Sequence, residues 1–144
     1  ILLLFGGGLS LASAVSNSGL AGWLGSNLSA VGNLPVTLLI VLIAVMIIFL
    51  TELTSNIATT ATFLPVIGAI ALEMGVNPIM LAAPVTLAAS CAFMLPVATP
   101  PNAIVFGSGL LSIPKMIRAG FALNLIGIVI VSIVSMTLAP YFLN

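Results

Sequence analysis

The residues best suited to chemistry stand in two short polar interruptions of an otherwise apolar chain, at 51–60 and 96–102. The first opens Thr51-Glu52-Leu53-Thr54-Ser55-Asn56, and its hydroxyl and amide oxygens are donors that hard cations prefer. The second, Pro96-Val97-Ala98-Thr99-Pro100-Pro101-Asn102, contains three prolines, which remove N–H donors and disrupt a helix. Carbonyls freed by such a break are oxygen ligands too, and the helix N-termini beside it expose N–H groups that suit a carboxylate. Each interruption also has a plainer explanation. Ser55 and Asn56 can simply cap a helix that begins near Ile57, and the second segment can be an ordinary proline kink.

Glu52 lies beside the first interruption. An ionised carboxylate within a membrane is costly and is a functional candidate by default. It can equally reach water at the mouth of a hairpin, so it is left outside the candidate site. Glu73, near Gly75 and Asn77-Pro78, reads as interfacial, while Met80, Cys91 and Met94 read as packing residues. Gly6, Gly7 and Gly8 suit close helix packing.

Composition decides the solvent. Of 144 residues, 62% are hydrophobic and 3% are charged, against about a quarter charged in a soluble domain. Glu52, Glu73, Lys115 and Arg118 cannot build a water-facing surface, so the chain reads as an all-α membrane protein. Zero net charge supplies no basic stripe for nucleic acid. A single Cys and no His exclude an internal disulfide, a zinc site made by Cys91 alone and a Ser-His-Asp or Cys-His pair. An enzyme is therefore not expected, and no catalytic residue is assigned.

The elements around the two interruptions follow from the apolar runs. Residues 1–15 read as the end of a spanning helix, and 16–33 as a weakly amphipathic interfacial helix in which Trp23 suits the headgroup depth. Ile1 opens inside an apolar run with neither Met nor a charged region before it, which reads as a fragment lacking its N-terminal part rather than as a signal peptide. Pro35 starts an apolar run that is too short for a full crossing, which takes about 20 residues. With 57–72 as the returning arm, the pattern is that of a re-entrant hairpin; one long bent span is the alternative. The run 78–95, the proline segment and 103–111 read as a broken helix, and 119–138 as a last span. Lys115 and Arg118 fall in the link before it and place that link on the cytoplasmic side. Paired interrupted segments of this kind mark the binding sites of secondary transporters.

The stretch 51–61, Thr-Glu-Leu-Thr-Ser-Asn-Ile-Ala-Thr-Thr-Ala, resembles the Ser-Asn-Thr signature region of the divalent anion:sodium symporter family. Leu3-Leu4-Phe5-Gly6-Gly7-Gly8 and the segment 95–102 resemble two further stretches of that family, in the same order. The resemblance is to its bacterial INDY-type dicarboxylate transporters and covers essentially the whole chain. It implies the second of two inverted repeats of an elevator-type transporter. Residues 1–34 would be scaffold helix and interfacial arm. Residues 35–144 would be the transport domain, with a re-entrant hairpin at 35–75, a broken helix at 77–111 and a last transmembrane helix at 115–140. It implies sodium as the coupling ion, bound at Thr51, Thr54, Asn56 and Ala98, and a carboxylate met by Ser55, Asn56, Thr99 and Pro100. The third signature position is Ile57 where the family usually has Thr, so one expected hydrogen bond to the carboxylate is absent there.

The resemblance further implies a homodimer in the bacterial inner membrane that carries small di- or tricarboxylates such as succinate, with an N-terminal half supplying the rest of the site. A proton-coupled or exchange-type anion carrier, and a non-transporting structural subunit, are the alternatives.

Overall fold

The computed structural model describes residues 10, 13, 14, 17–20, 23 and 35–141, with side chains to position 137. The scaffold helix and interfacial arm expected over 1–34 fall almost wholly outside the described residues. The continuous part contains five helices: α1 (Val36–Thr51), α2 (Asn56–Glu73), α3 (Pro78–Ala88), α4 (Pro100–Gly107) and α5 (Ile113–Tyr141). No strand occurs among the described residues.

Helix α1 starts after Pro35, whose fixed φ suits a helix entry. It buries Leu39, Ile40, Ile43, Ala44, Ile47, Ile48 and Thr51, one stripe at helical spacing. Its 16 residues rise only about 24 Å, less than the roughly 30 Å of a bilayer core. Helices α2 and α5 are long and apolar enough to cross a membrane.

Helix α3 is the centre of the bundle and packs against α1, α2 and α5, whereas α1 and α2 touch each other little. The chain reverses at 52–55, and α2 returns to within a short turn of the start of α3. Thr51, at the end of α1, reaches the Ala89 carbonyl at the end of α3. Helices α1 and α3 therefore run in the same direction with α2 antiparallel to them, a helix–turn–helix rather than one bent rod. The buried cluster joins Ile40, Ile47 and Ile48 of α1 to Ile70 and Ala71 of α2, Leu81 and Val85 of α3, and Ile128 and Val131 of α5. Ala44, Ala71 and Ala88 are completely covered; such small side chains let membrane helices approach closely, where packing rather than the hydrophobic effect drives association.

The break comes earlier than the prolines suggest. Helix α3 ends at Ala88, eight positions before Pro96 by the numbering, and 89–99 is non-helical. Pro100 and Pro101 do not break a helix; they are the first residues of α4, where the missing N–H groups have no intrahelical role. What replaces the helix through 93–95 is an acceptor from elsewhere in the fold, described below.

Helix α5 also starts earlier than expected, at Ile113, so Lys115 and Arg118 lie in its first turns rather than in a link before it. Ser112 precedes that helix, its carbonyl accepting from the N–H groups of Lys115 and Met116, and Pro114 sits in the first turn. The 29 residues of α5 rise about 43 Å, enough to hold both exposed basic side chains beyond an apolar core about 30 Å thick. Gly120 rests directly on the backbone of Phe93 and Met94, and Gly127 on Cys91 and Ile48.

Candidate functional site

The tip of the hairpin is ordered by its own hydroxyl groups. The Thr51 Oγ1–H is positioned to donate to Asn56 Oδ1 at 2.9 Å and to the Ala89 carbonyl at 3.2 Å, so one buried hydroxyl ties both arms of the tip to the end of α3. Thr54 donates to the Leu50 carbonyl at 3.0 Å, and its hydroxyl shares a hydrogen bond of 2.6 Å with Thr59. Ser55 occupies the N-cap position of α2, yet its side chain makes no capping hydrogen bond. By contrast, the N-cap side chains of α3 and α4 are engaged: Asn77 accepts from the Ile79 N–H, and Thr99 from the Asn102 N–H. The first N–H groups of a helix have no intrahelical partner, so α2 presents a positive dipole end and an uncommitted hydroxyl together.

Glu52 is not at the mouth of the hairpin. It is 4% exposed. Its Oε1 accepts from the N–H groups of Phe93 (2.8 Å) and Met94 (2.9 Å) and from Asn124 Nδ2 (2.7 Å), and its Oε2 accepts from the Leu95 N–H at 3.1 Å. Three successive amides thus converge on one carboxylate, an arrangement that backbone N–H groups make readily around an anion. Burying a charge costs several kcal/mol, and hydrogen bonds to an ionised acceptor are about twice as strong as neutral ones. Those amides are unavailable to a continuing α3, which explains why the helix stops before Pro96.

Asn102 secures the other side of the break. Its Nδ2 donates to the carbonyls of Ala92 and Leu95, both at 3.0 Å. The Ala98 N–H also reaches the Leu95 carbonyl at 3.2 Å. The Ala89, Ala92 and Leu95 carbonyls, which the lost helix leaves without helical partners, are thus satisfied internally.

The tip and the break face each other across an open cavity of about 520 Å³ lined by Leu53, Thr54, Ser55, Asn56, Ile57, Val97, Ala98 and Pro100. Of the residues singled out in the sequence, Thr54, Ser55, Asn56, Ile57, Ala98 and Pro100 meet there. Thr51 lies behind the wall, fully buried against Asn56. Thr99 sits beside Ala98, its hydroxyl oxygen accepting from the Asn102 N–H at the α4 cap while its O–H stays able to donate. Ile57 is 58% exposed and presents an apolar side chain. A smaller concavity of about 290 Å³ shares Asn56 and Ile57 and adds Thr60, Ala61 and Ser90.

No lining side chain of the larger cavity is charged. Among the described residues there is also no cluster of three His, Cys, Asp or Glu side chains able to hold a transition metal. The chemistry available is that of neutral oxygens, which suit a hard monovalent or divalent cation, together with helix-end N–H groups, which suit an oxyanion.

Sequence reasoning left Glu52 undecided and assigned no role to Asn102 or Asn124. The signal for Glu52 was present, since an intramembrane carboxylate needs a partner. Its partners, however, are backbone amides 41 to 43 positions away, which no local pattern reveals.

The whole chain is similar to known proteins. Residues 1–142 match the family model described as sodium:sulfate symporter transmembrane region. A Staphylococcus saprophyticus protein named sodium-dependent dicarboxylate transporter SdcS is 46% identical over 140 residues, covering 97% of this chain and 27% of the relative. The protein of the same name from Staphylococcus aureus strain MRSA252 is 47% identical over 144 residues, covering 100% of this chain and 28% of the relative. The chain thus spans a little over a quarter of the length of these curated relatives. Its family is one of membrane transporters, not enzymes. By a match over nearly its full length, the chain belongs to the sodium:sulfate symporter family.

Proposed function

We propose that the chain is part of a sodium-coupled carrier of small di- or tricarboxylates, succinate-like in size, and contributes one half of the substrate and sodium site. The observation that carries this reading is the cavity in which Ser55 and Asn56, at the uncapped start of α2, face Ala98 and Pro100 of the break. The names of the relatives, sodium-dependent dicarboxylate transporters, agree with it.

In this reading Thr54, Asn56 and the Ala98 carbonyl supply oxygens to sodium, which is cargo, with Thr51 behind them. Ser55, Asn56, Thr99 and Pro100 border the carboxylate. Thr51 and Thr99 contribute from behind or beside the cavity wall, Thr51 by orienting the Asn56 amide oxygen and Thr99 by fixing the start of α4. Coupling then has a simple electrostatic origin. The cavity is neutral, so a bound cation lowers the cost of placing an anion a few ångströms away, most strongly where water is scarce. By linkage, the anion favours the cation by the same factor.

The shared hydrogen bonds of Thr51, Glu52, Asn102 and Asn124 join the hairpin, the break and the last span into one body. That supports 35–144 moving as an elevator-type transport domain, with the hairpin re-entrant and with 1–34 as part of the scaffold of a homodimer in the bacterial inner membrane. Lys115 and Arg118 mark the cytoplasmic end of the last span. An N-terminal repeat supplies the mirrored half of the site.

Succinate uptake into proteoliposomes by the full-length carrier tests the reading. Uptake driven by an inward sodium gradient is expected. Equal uptake with potassium in place of sodium would overturn it in favour of an exchange-type or proton-coupled carrier.

A further inference from the structure

We propose that Glu52 is a positioning residue that fixes the spacing between the two walls of the cavity, and thereby the affinity for the co-transported cation; this deepens the transport reading above and rests on it. One wall, 53–57, follows Glu52 directly along the chain. The other, Val97, Ala98 and Pro100, follows Leu95, and Leu95 is held on both sides. Its N–H donates to Glu52 Oε2 at 3.1 Å, and its carbonyl accepts from the Ala98 N–H at 3.2 Å and from Asn102 Nδ2 at 3.0 Å. A short path therefore runs from one wall to the other: Leu53, Glu52, the Leu95 amide, Ala98.

Glu52 does not line the cavity and is almost fully buried, so it touches neither cargo. Its effect passes through Leu95 and Ala98. Asn124 extends the clamp to α5, and Thr51 gives a second tie from the same helix end to the Ala89 carbonyl. The geometry needs a carboxylate of this length. Two acceptor oxygens serve three amides and Asn124. A glutamine offers one oxygen and turns an N–H toward one of the donors, while an aspartate is shorter by one methylene and draws both oxygens back. Either change releases the 93–95 amides and lets Ala98 drift relative to Asn56. Cation sites are sensitive to such drift because coordination tolerates only small departures in distance.

The test is the sodium dependence of initial succinate uptake by the full-length carrier in proteoliposomes, at saturating succinate. Glu52→Gln and Glu52→Asp are compared with the unaltered protein and with Leu81→Ala, a core change remote from the clamp. The loss of hydrogen bonds to a charged group predicts that Glu52→Gln raises the sodium concentration for half-maximal uptake about tenfold or more, and Glu52→Asp by less. Leu81→Ala should lower the maximal rate in step with the amount of folded protein and leave the sodium dependence in place. If the Glu52 variants behave like Leu81→Ala, with the half-maximal sodium concentration unmoved, Glu52 is only structural and the proposal fails. Should Glu52→Gln not accumulate in folded form, Glu52→Asp decides: a shift in sodium dependence supports the clamp and an unchanged value overturns it. Absence of sodium-driven uptake by the unaltered protein would instead remove the transport reading, and the proposal with it.

Discussion

Gly120 of α5 and Phe93 of the break are in direct backbone contact: a Cβ added to Gly120 would overlap the Phe93 carbonyl oxygen and come within 2.5 Å of the Met94 Cα. The neighbours are main chain held by Glu52, so they cannot swing aside. Seven positions on, Gly127 also faces the interior, but a Cβ added there would meet the Cys91 Cβ at 3.5 Å and the Ile48 Cδ1 at 3.7 Å, ordinary contact distances.

Gly120→Ala is therefore expected to destabilise the protein by about 1–3 kcal/mol or more through overpacking, whereas Gly127→Ala should be close to neutral. Thermal unfolding of the two variants of the full-length protein in detergent checks this. Equal melting temperatures would contradict the close approach of α5 to the break.

Ser55 and Asn77 make a second matched pair. Asn77 caps α3 with its side chain, while Ser55 leaves α2 uncapped. Asn77→Ala should cost about 1 kcal/mol of stability with little change in the apparent KM for succinate. Ser55→Ala should cost little stability and raise that KM. A stability loss at Ser55 equal to that at Asn77 would return Ser55 to a capping role.

How much of this was legible in the sequence depends on the range of the cause. The arms of the hairpin follow from apolar runs bounded by Pro35, the polar segment at 51–56 and Asn77-Pro78, all local signals. The meeting of Ser55 and Asn56 with Ala98 was implied by family resemblance, and no spacing rule gives it. Prolines are the visible disruptors and point to a later break, whereas the helix ends at Ala88, ahead of the 93–95 amides that the Glu52 carboxylate takes from across the fold. Two local signals were passed over. Adjacent prolines at 100 and 101 fit a helix start better than a helix end, and Ser112 followed by Pro114 announces α5 before Lys115.

Thr51→Val keeps the shape of a fully buried side chain and removes its hydroxyl. The Ala89 carbonyl and Asn56 Oδ1 then lose a donor, at a cost of about 1–3 kcal/mol. Sodium dependence of uptake should shift with it, because Asn56 is no longer oriented. Uptake at low sodium that matches the unaltered protein would exclude Thr51 from the sodium site.

Ile57 presents carbon to the cavity at the position where the resemblance implies a Thr hydroxyl. Restoring the hydroxyl with Ile57→Thr should lower the apparent KM for succinate. A hydrogen bond to a charged group, about 1.5–3 kcal/mol, corresponds to roughly tenfold or more. An unchanged or higher KM would mean that the local backbone already meets the carboxylate, or that the preferred substrate has a different shape.

Cargo that occupies the cavity between the hairpin tip and the break must shield the residues lining it from thiol reagents. Val97 lines that cavity and is 79% exposed, so Val97→Cys, in a full-length carrier freed of other reactive cysteines, reports on occupancy. Leu110→Cys, at an exposed position outside the cavity lining, serves as the control. Sodium with succinate should slow maleimide labelling at 97 several-fold and leave 110 unaffected. Labelling at 97 that proceeds at the same rate with and without cargo, in a carrier that still transports, would place the site elsewhere.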